Sequence, residues 1–151
     1  MTEFTIEQVL PHEHPMVLLD QLTDFSENSA SCCCTITEQS LFFDASLNGV
    51  PSYVGIEYMA QSIAAYANAN ELSQSRTVEI GFLVSSRKYK CEFPVFKQGM
   101  ALTINVDKIY KDESGLSAFD CNIFTNGQQI ASARINVFQP ENPKQFLAEQ
   151  L

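Results

Sequence analysis

The first 75 residues contain neither lysine nor arginine, although they hold ten acids; all nine basic residues lie from Arg76 onward. A chain with net charge −9 and so few cations is not built for a polyanion. That excludes nucleic acid and an anionic membrane surface as bulk partners. Histidine is scarce as well. The only two are His12 and His14, so any imidazole chemistry must use one of them. No apolar run is long enough to span a bilayer. Met1-Thr2-Glu3-Phe4 has neither the positive charge nor the apolar stretch of a secretory signal. The chain therefore reads as a soluble cytoplasmic protein without membrane insertion. Its five cysteines are odd in number, and Cys32, Cys33 and Cys34 are consecutive. Neighbours in a strand point to opposite faces, so the triplet forms neither a metal cage nor a disulfide set. These, with Cys91 and Cys121, read as small apolar residues of a reducing compartment.

What is present is a core. Nearly half of the 151 residues are hydrophobic, enough for one domain of ordinary size spanning residues 1–151. There is no repeat, low-complexity stretch or linker. A short amphipathic opening, Thr5 to Leu10, ends at Pro11, and an apolar run follows at Met16-Val17-Leu18-Leu19-Asp20. Ser31 to Ile36 suits a strand, and Asn48 to Ser52 suits a loop. Gly55 to Asn70 is the clearest helix, with Ile56, Met59, Ala60, Ile63, Ala64 and Ala67 at helical spacing. Its other faces carry Tyr58, Ala65 and Tyr66, so it is apolar nearly all round and suited to burial.

The second half alternates apolar and polar residues over 102–107, 118–123 and 131–137, the pattern of half-buried antiparallel strands. Asp112-Glu113-Ser114-Gly115 and Thr125-Asn126-Gly127-Gln128 punctuate them, and Asn-Gly is a strong hairpin signal. Two further strands are predicted at Val78–Val84 and Lys88–Phe93, and a short terminal helix at Pro143–Leu151. One helix covers a sheet of that width only if the sheet curls around it. The predicted fold is therefore α+β of the hot-dog type, a long central helix wrapped by a curved antiparallel sheet, with a generic α+β sandwich as the alternative.

Glu57 is the most informative residue, a carboxylate in the first turn of an apolar helix. The helix dipole favours an anion there, and burial would make it a usable acid or base; the plainer reading is a helix-start acid facing water. Gln61 lies one turn on, placed to orient Glu57 through a hydrogen bond. His12 and His14, two apart in an extended segment, point to opposite sides and do not chelate one metal together. Four of the nine basic residues, Arg87, Lys88, Lys90 and Lys97, cluster in sequence. They read either as a solvated strand face or as a docking patch for an anionic partner.

Three stretches carry a family resemblance. Leu10-Pro11-His12-Glu13-His14-Pro15-Met16-Val17-Leu18-Leu19-Asp20 resembles the opening of the (3R)-hydroxyacyl-ACP dehydratases. Gly55-Ile56-Glu57-Tyr58-Met59-Ala60-Gln61 resembles their central helix. Arg87-Lys88-Tyr89-Lys90 with Phe93-Pro94-Val95 resembles a strand that follows it. The match is collinear over nearly the whole chain, and Val50 to Gln61 looks closest to the dehydratase-like, ApeP-like subfamily of aryl-polyene biosynthesis.

The resemblance implies a lyase that converts a 3-hydroxyacyl thioester to the trans-2-enoyl form, with Glu57 as acid or base. It implies no metal and no cofactor, the substrate riding on the phosphopantetheine of an acyl carrier protein. Arg87, Lys88, Lys90 and Lys97 are then the candidate carrier-docking residues, and a backbone N–H near Gly55 the candidate donor to the thioester carbonyl. The loop that carries the family's catalytic histidine reads Phe42 to Pro51 here, with Ser46 in the histidine's place. Either His12 serves instead, or the chain is a non-catalytic partner subunit or acyl-ACP binder; a hot-dog thioesterase is a third reading. A homodimer, or a heterodimer with a related hot-dog subunit, is expected because such a sheet leaves open edges.

Overall fold

A computed structural model describes residues 4–10, 16–76 and 82–138. Helix α1 (Ile6–Val9) is a single turn whose N-cap, Thr5, exchanges hydrogen bonds with Gln8 in a capping box. Strands β1 (Gln21–Phe25), β2 (Ser29–Thr35) and β3 (Gly49–Pro51) follow. A 3₁₀ turn over Ser52–Val54 leads into α2 (Gly55–Ser73). Strands β4 (Phe82–Cys91), β5 (Val95–Lys97), β6 (Ala101–Lys111), β7 (Leu116–Thr125) and β8 (Gln128–Phe138) complete the described chain.

Six strands form one antiparallel sheet in the order β1-β2-β6-β7-β8-β4, and β3 pairs with β5 apart from it. The alternation along β2, β6, β7 and β8 sets the inner face. Cys32, Ile104, Ile123 and Ala131 are register partners in one row across four strands, and all are buried. α2 lies against that face and buries Tyr58, Met59, Ile63, Ala65, Tyr66 and Ala69. A large apolar side chain such as Met59 or Ile63 contributes roughly 1.5–3 kcal/mol when fully buried, and an alanine methyl less. The hot-dog architecture is as expected, and so is the Asn-Gly hairpin. Asn126 and Gly127 both have positive φ (51° and 77°), as a type I′ turn requires.

Three details differ from expectation. The strands predicted at Val78–Val84 and Lys88–Phe93 are, within the described residues, one strand, β4. Its pairing with β8 slips between Arg87 and Lys90, where Lys88 has φ 57°. A bulge interrupts the period of two that marks a continuous strand. The predicted loop over Asn48–Ser52 contains β3. Gly49 is needed there, because a Cβ would stand 2.2 Å from the Phe96 carbonyl oxygen across the pair. Finally, the alanines of the predicted core stripe, Ala60, Ala64 and Ala67, are only half-buried; the sheet contacts fall to the neighbouring face. The predicted helix at Pro143–Leu151 lies outside the described residues.

Candidate active site

The approach to α2 is held from three directions. The Ser52 N–H donates to the Pro94 carbonyl, 3.0 Å, and the Tyr89 hydroxyl donates to the Ser52 carbonyl. Gly55 then turns the chain into the helix, its N–H donating to the Ser52 and Tyr53 carbonyls. A Cβ on Gly55 would lie 2.2 Å from the Tyr89 hydroxyl oxygen, so any larger residue would force the Tyr89 ring to shift. Burial pushes the Tyr89 phenol well above its ordinary range and keeps it a neutral donor. The Gly55 N–H is thus engaged inside the turn, so a donor to a thioester carbonyl near Gly55, as the resemblance implies, would have to be another N–H of the helix start.

Glu57 follows in the first turn of α2, exposed, and it lines a cavity of about 380 Å³. The cavity runs along one face of the helix past Ala60, Ala64 and Ala67, with Phe119 and Val137 of the sheet opposite and Lys108 and Lys111 at its rim. The Lys108 ammonium stands 5.8 Å over the Tyr66 ring, within cation–π range. Among the described residues no hydrogen bond or ion pair engages the Glu57 carboxyl. Tyr58 is a core residue, 2% exposed, while Tyr53 is 71% exposed.

Gln61 does not orient Glu57. Its amide is buried, accepting from the Leu18 N–H at 2.9 Å and donating to the Met16 carbonyl at 2.8 Å. Asn68, two turns further, donates to the Val9 carbonyl at 2.9 Å. The described chain on both sides of residues 11–15 is thus tied to α2. His12 and His14 themselves lie outside the described residues. The sequence signal for Asn68 is a polar residue in an otherwise apolar helix.

Ser46 is exposed and does not line the cavity. Its hydroxyl donates to the Asp44 carboxylate at 2.6 Å and its N–H to the same oxygen at 2.9 Å, which holds Asp44 below the usual carboxylate range. Asp44 bridges to Gly49, so the loop is closed on itself. Nor do the four predicted docking residues form one patch. Arg87 and Lys88 line a shallow depression with Arg134 and Asp120, and Lys90 lines the next. Lys97 sits on β5, its ammonium donating to the Leu47 carbonyl at 2.9 Å. Arg134, which the sequence showed only as an outward strand residue, pairs with Asp120 at 3.2 Å.

The cysteines are free. Burial pushes the Cys32 thiol up to about 12 and raises Cys34 and Cys121 as well, so these remain protonated packing groups. Among the described residues no group of three or more metal-ligating side chains comes together, and no helix is long and apolar enough to cross a membrane.

A long helix cradled in a curved six-stranded antiparallel sheet, with a carboxyl in its first turn lining a cavity, defines a hot-dog domain. The family model for ApeP dehydratase, of the ApeP-like family, matches residues 4–148: the chain belongs to that family of dehydratases. The 3-hydroxyacyl-[acyl-carrier-protein] dehydratase FabZ of Pseudothermotoga lettingae is 25% identical over 140 residues, covering 92% of this chain and 96% of that protein. The dehydratase heterocomplex ApeI:P from Xenorhabdus doucetiae superposes with a TM-score of 0.89 at 28% identity, over 97% of both chains. A hypothetical thioesterase from Streptococcus pneumoniae, solved with coenzyme A, shares the fold alone, with a TM-score of 0.61 at 11% identity.

Proposed function

We propose that this chain takes part in dehydrating a 3-hydroxyacyl group, carried on the phosphopantetheine of an acyl carrier protein, to the trans-2-enoyl thioester. The observation that carries this reading is Glu57, an exposed carboxyl that lines the cavity along α2 and has no hydrogen bond or ion pair among the described residues, in a chain of the dehydratase family. Dehydration breaks the C2–H and C3–O bonds: a base takes the C2 proton, and an acid gives a proton to the departing hydroxyl, which leaves as water. Glu57 serves one of these transfers and His12 the other. Support for His12 comes from the anchoring of Val9 by Asn68 and of Met16 by Gln61, which ties the chain on either side of it to the helix bearing Glu57. The elimination so read asks the protein for one base and one acid and calls for no metal or cofactor.

A second reading has its own observation. Ser46, which the resemblance sets in the place of the family's loop histidine, is bonded to Asp44 and does not line the cavity, and the relative from Xenorhabdus was solved in a dehydratase heterocomplex. On this reading the chain is one half of a pair with a related hot-dog subunit, which supplies the missing imidazole. The test is turnover of a 3-hydroxyacyl thioester on a carrier protein, followed by enoyl absorbance, with the chain alone. Turnover that survives in His14→Ala but falls with His12→Gln and Glu57→Gln supports the self-sufficient site. No turnover by the chain alone at any chain length leaves the paired reading. Release of free thiol would instead mark a thioesterase.

A further inference from the structure

Strand β6 carries two lysines, Lys108 and Lys111, three residues apart. A regular strand would point them to opposite faces of the sheet, because side chains alternate along it. The pairing of β6 with β7 slips between Lys108 and Tyr110, however, and such a bulge shifts the alternation by one residue. Lys108 becomes the register partner of Phe119 and Lys111 that of Ser117. Phe119 and Ser117 are two apart in β7 and so share a face. It is the face toward α2, since the Phe119 ring meets Tyr66 edge-on at 5.4 Å. Both lysines accordingly line the cavity that Glu57 lines. Among the described residues neither forms an ion pair, and Lys111 is exposed.

The other charges of the lining do not cancel them. Glu71 is held by Arg76 at 2.6 Å, which leaves Glu27 as the one acid beside Glu57 in the lining without an ion pair among the described residues. Arg87 and Arg134, by contrast, share a row with the exposed Asp120 on the opposite face of the sheet, and neither lines this cavity.

Distance sets what can join the two ends. Tyr66, beneath Lys108, and Glu71 lie nine and fourteen residues beyond Glu57 in α2, about 14 and 21 Å along the axis. An extended phosphopantetheine thioester has about fifteen bonds between its phosphorus and C2, about 18 Å at a polypeptide's reach of about 3.5 Å per three bonds. Between the ends the groove is floored by Ala60, Ala64 and Ala67 and faced by Phe119 and Val137, small and apolar surfaces along which such an arm can lie extended. We infer that Lys108 and Lys111 bind the phosphate of the substrate's phosphopantetheine arm, which lies along α2 with its thioester at Glu57. This deepens the reading given above and rests on it. The bulge in β6 is then what turns a sheet strand into a two-pronged phosphate site.

The test compares octanoyl-phosphopantetheine with octanoyl-pantetheine. They differ only in the phosphate, and neither has a 3-hydroxyl to lose, so calorimetry reads binding to the full chain without turnover. The wild type is expected to bind the phosphorylated ligand about tenfold more tightly at about 0.05 M salt, as two partly exposed charge pairs allow. The advantage should vanish near 1 M salt, where the screening length falls to about 3 Å. In a variant with both Lys108→Met and Lys111→Met, its fold checked by circular dichroism, the advantage should drop within about twofold while octanoyl-pantetheine binds as before. Lys108→Arg with Lys111→Arg should keep it. Should the double methionine variant fail to fold, Lys111→Met alone is expected to lose about threefold of the advantage. Equal binding of the two ligands by the wild type would overturn the inference, as would binding of neither. Equal loss of both ligands in a folded methionine variant would overturn it too, and so would a gain for an acyl chain ending in a carboxylate without one for the phosphate, which would seat the acyl end at the lysines. A phosphate preference in a chain that dehydrates nothing would uphold the site and count against the catalytic reading alone.

Discussion

Within α2, Gln61, Ser62 and Asn68 differ from Glu57 in one respect: they are buried and bonded to main-chain carbonyls or amides of their own chain. Glu57 is exposed and bonded to nothing described. The buried three are structural, since a polar group taken out of water must find a partner or cost the fold its desolvation. Gln61 and Asn68 thereby pin the N-terminal segment, while Ser62 closes on its own helix through the Tyr58 carbonyl. Glu57 does no such holding, which leaves its carboxyl available to a substrate. A polar residue in an apolar helix is thus no sign of catalysis by itself; what separates the two kinds is whether the fold has already engaged it.

The contrast can be broken by substitution, and the largest effect is expected at Glu57. Glu57→Gln should lower turnover of the active assembly by roughly 10²–10⁴-fold while leaving the melting temperature unchanged, because nothing in the described fold leans on the carboxyl. A matching drop in melting temperature would place Glu57 with the structural group. Gln61→Ala should do the reverse. It removes the partners of the Met16 carbonyl and the Leu18 N–H together and should cost about 2–3 kcal/mol in denaturant unfolding. Activity per folded molecule should fall only as far as the N-terminal segment loosens. Gly55→Ala should cost about 1–3 kcal/mol through the clash with the Tyr89 hydroxyl, and Tyr89→Phe in the same chain should return part of it. A Gly55→Ala protein of full stability would mean that the hydroxyl does not close the helix entry.

The smallest effect sharpens the comparison from the sheet side. Cys32, beside Ser62, has its thiol raised from an ordinary value of 9.0 to about 12 by burial, with Cys33 adding to the rise and the Ser62 hydrogen bond opposing it. In the unfolded chain the thiol ionises near 9, and in the folded one only near 12. Below 9 both states hold the proton and stability is unaffected. Between 9 and 12 the unfolded state is favoured and stability falls. Cys34 and Cys121 act in the same direction. Cys32→Ala should therefore flatten the decline of stability over that pH window, measured by urea midpoints. An unchanged slope would show that the thiol is not buried as described.

The helix, the strand alternation from Leu102 onward and the Asn-Gly turn were legible because each is a local pattern: a period of 3.6, a period of 2, and a residue pair that tolerates positive φ. β1, β3 and β5 were not. Gly49–Pro51 and Val95–Lys97 are three residues each, too short to show a period, and exist because they pair with one another. β4 reads as two strands in the sequence because the bulge at Lys88 breaks its alternation. At the site, Glu57 stood out as a charge in an apolar context. That Gln61 faces Met16 and Leu18, that the Gly55 N–H is closed inside a turn, and that Lys97 belongs to a different surface from Arg87 all depend on residues distant in sequence.

The sequence by itself determined the class of fold, because burying an apolar helix under alternating strands leaves one economical arrangement, and it singled out Glu57 by composition. Only the tertiary structure decided which polar groups are free to act and which cations share their cavity. Hydrogen-bond commitment and exposure are properties of what comes to lie beside a residue, and no local pattern records them.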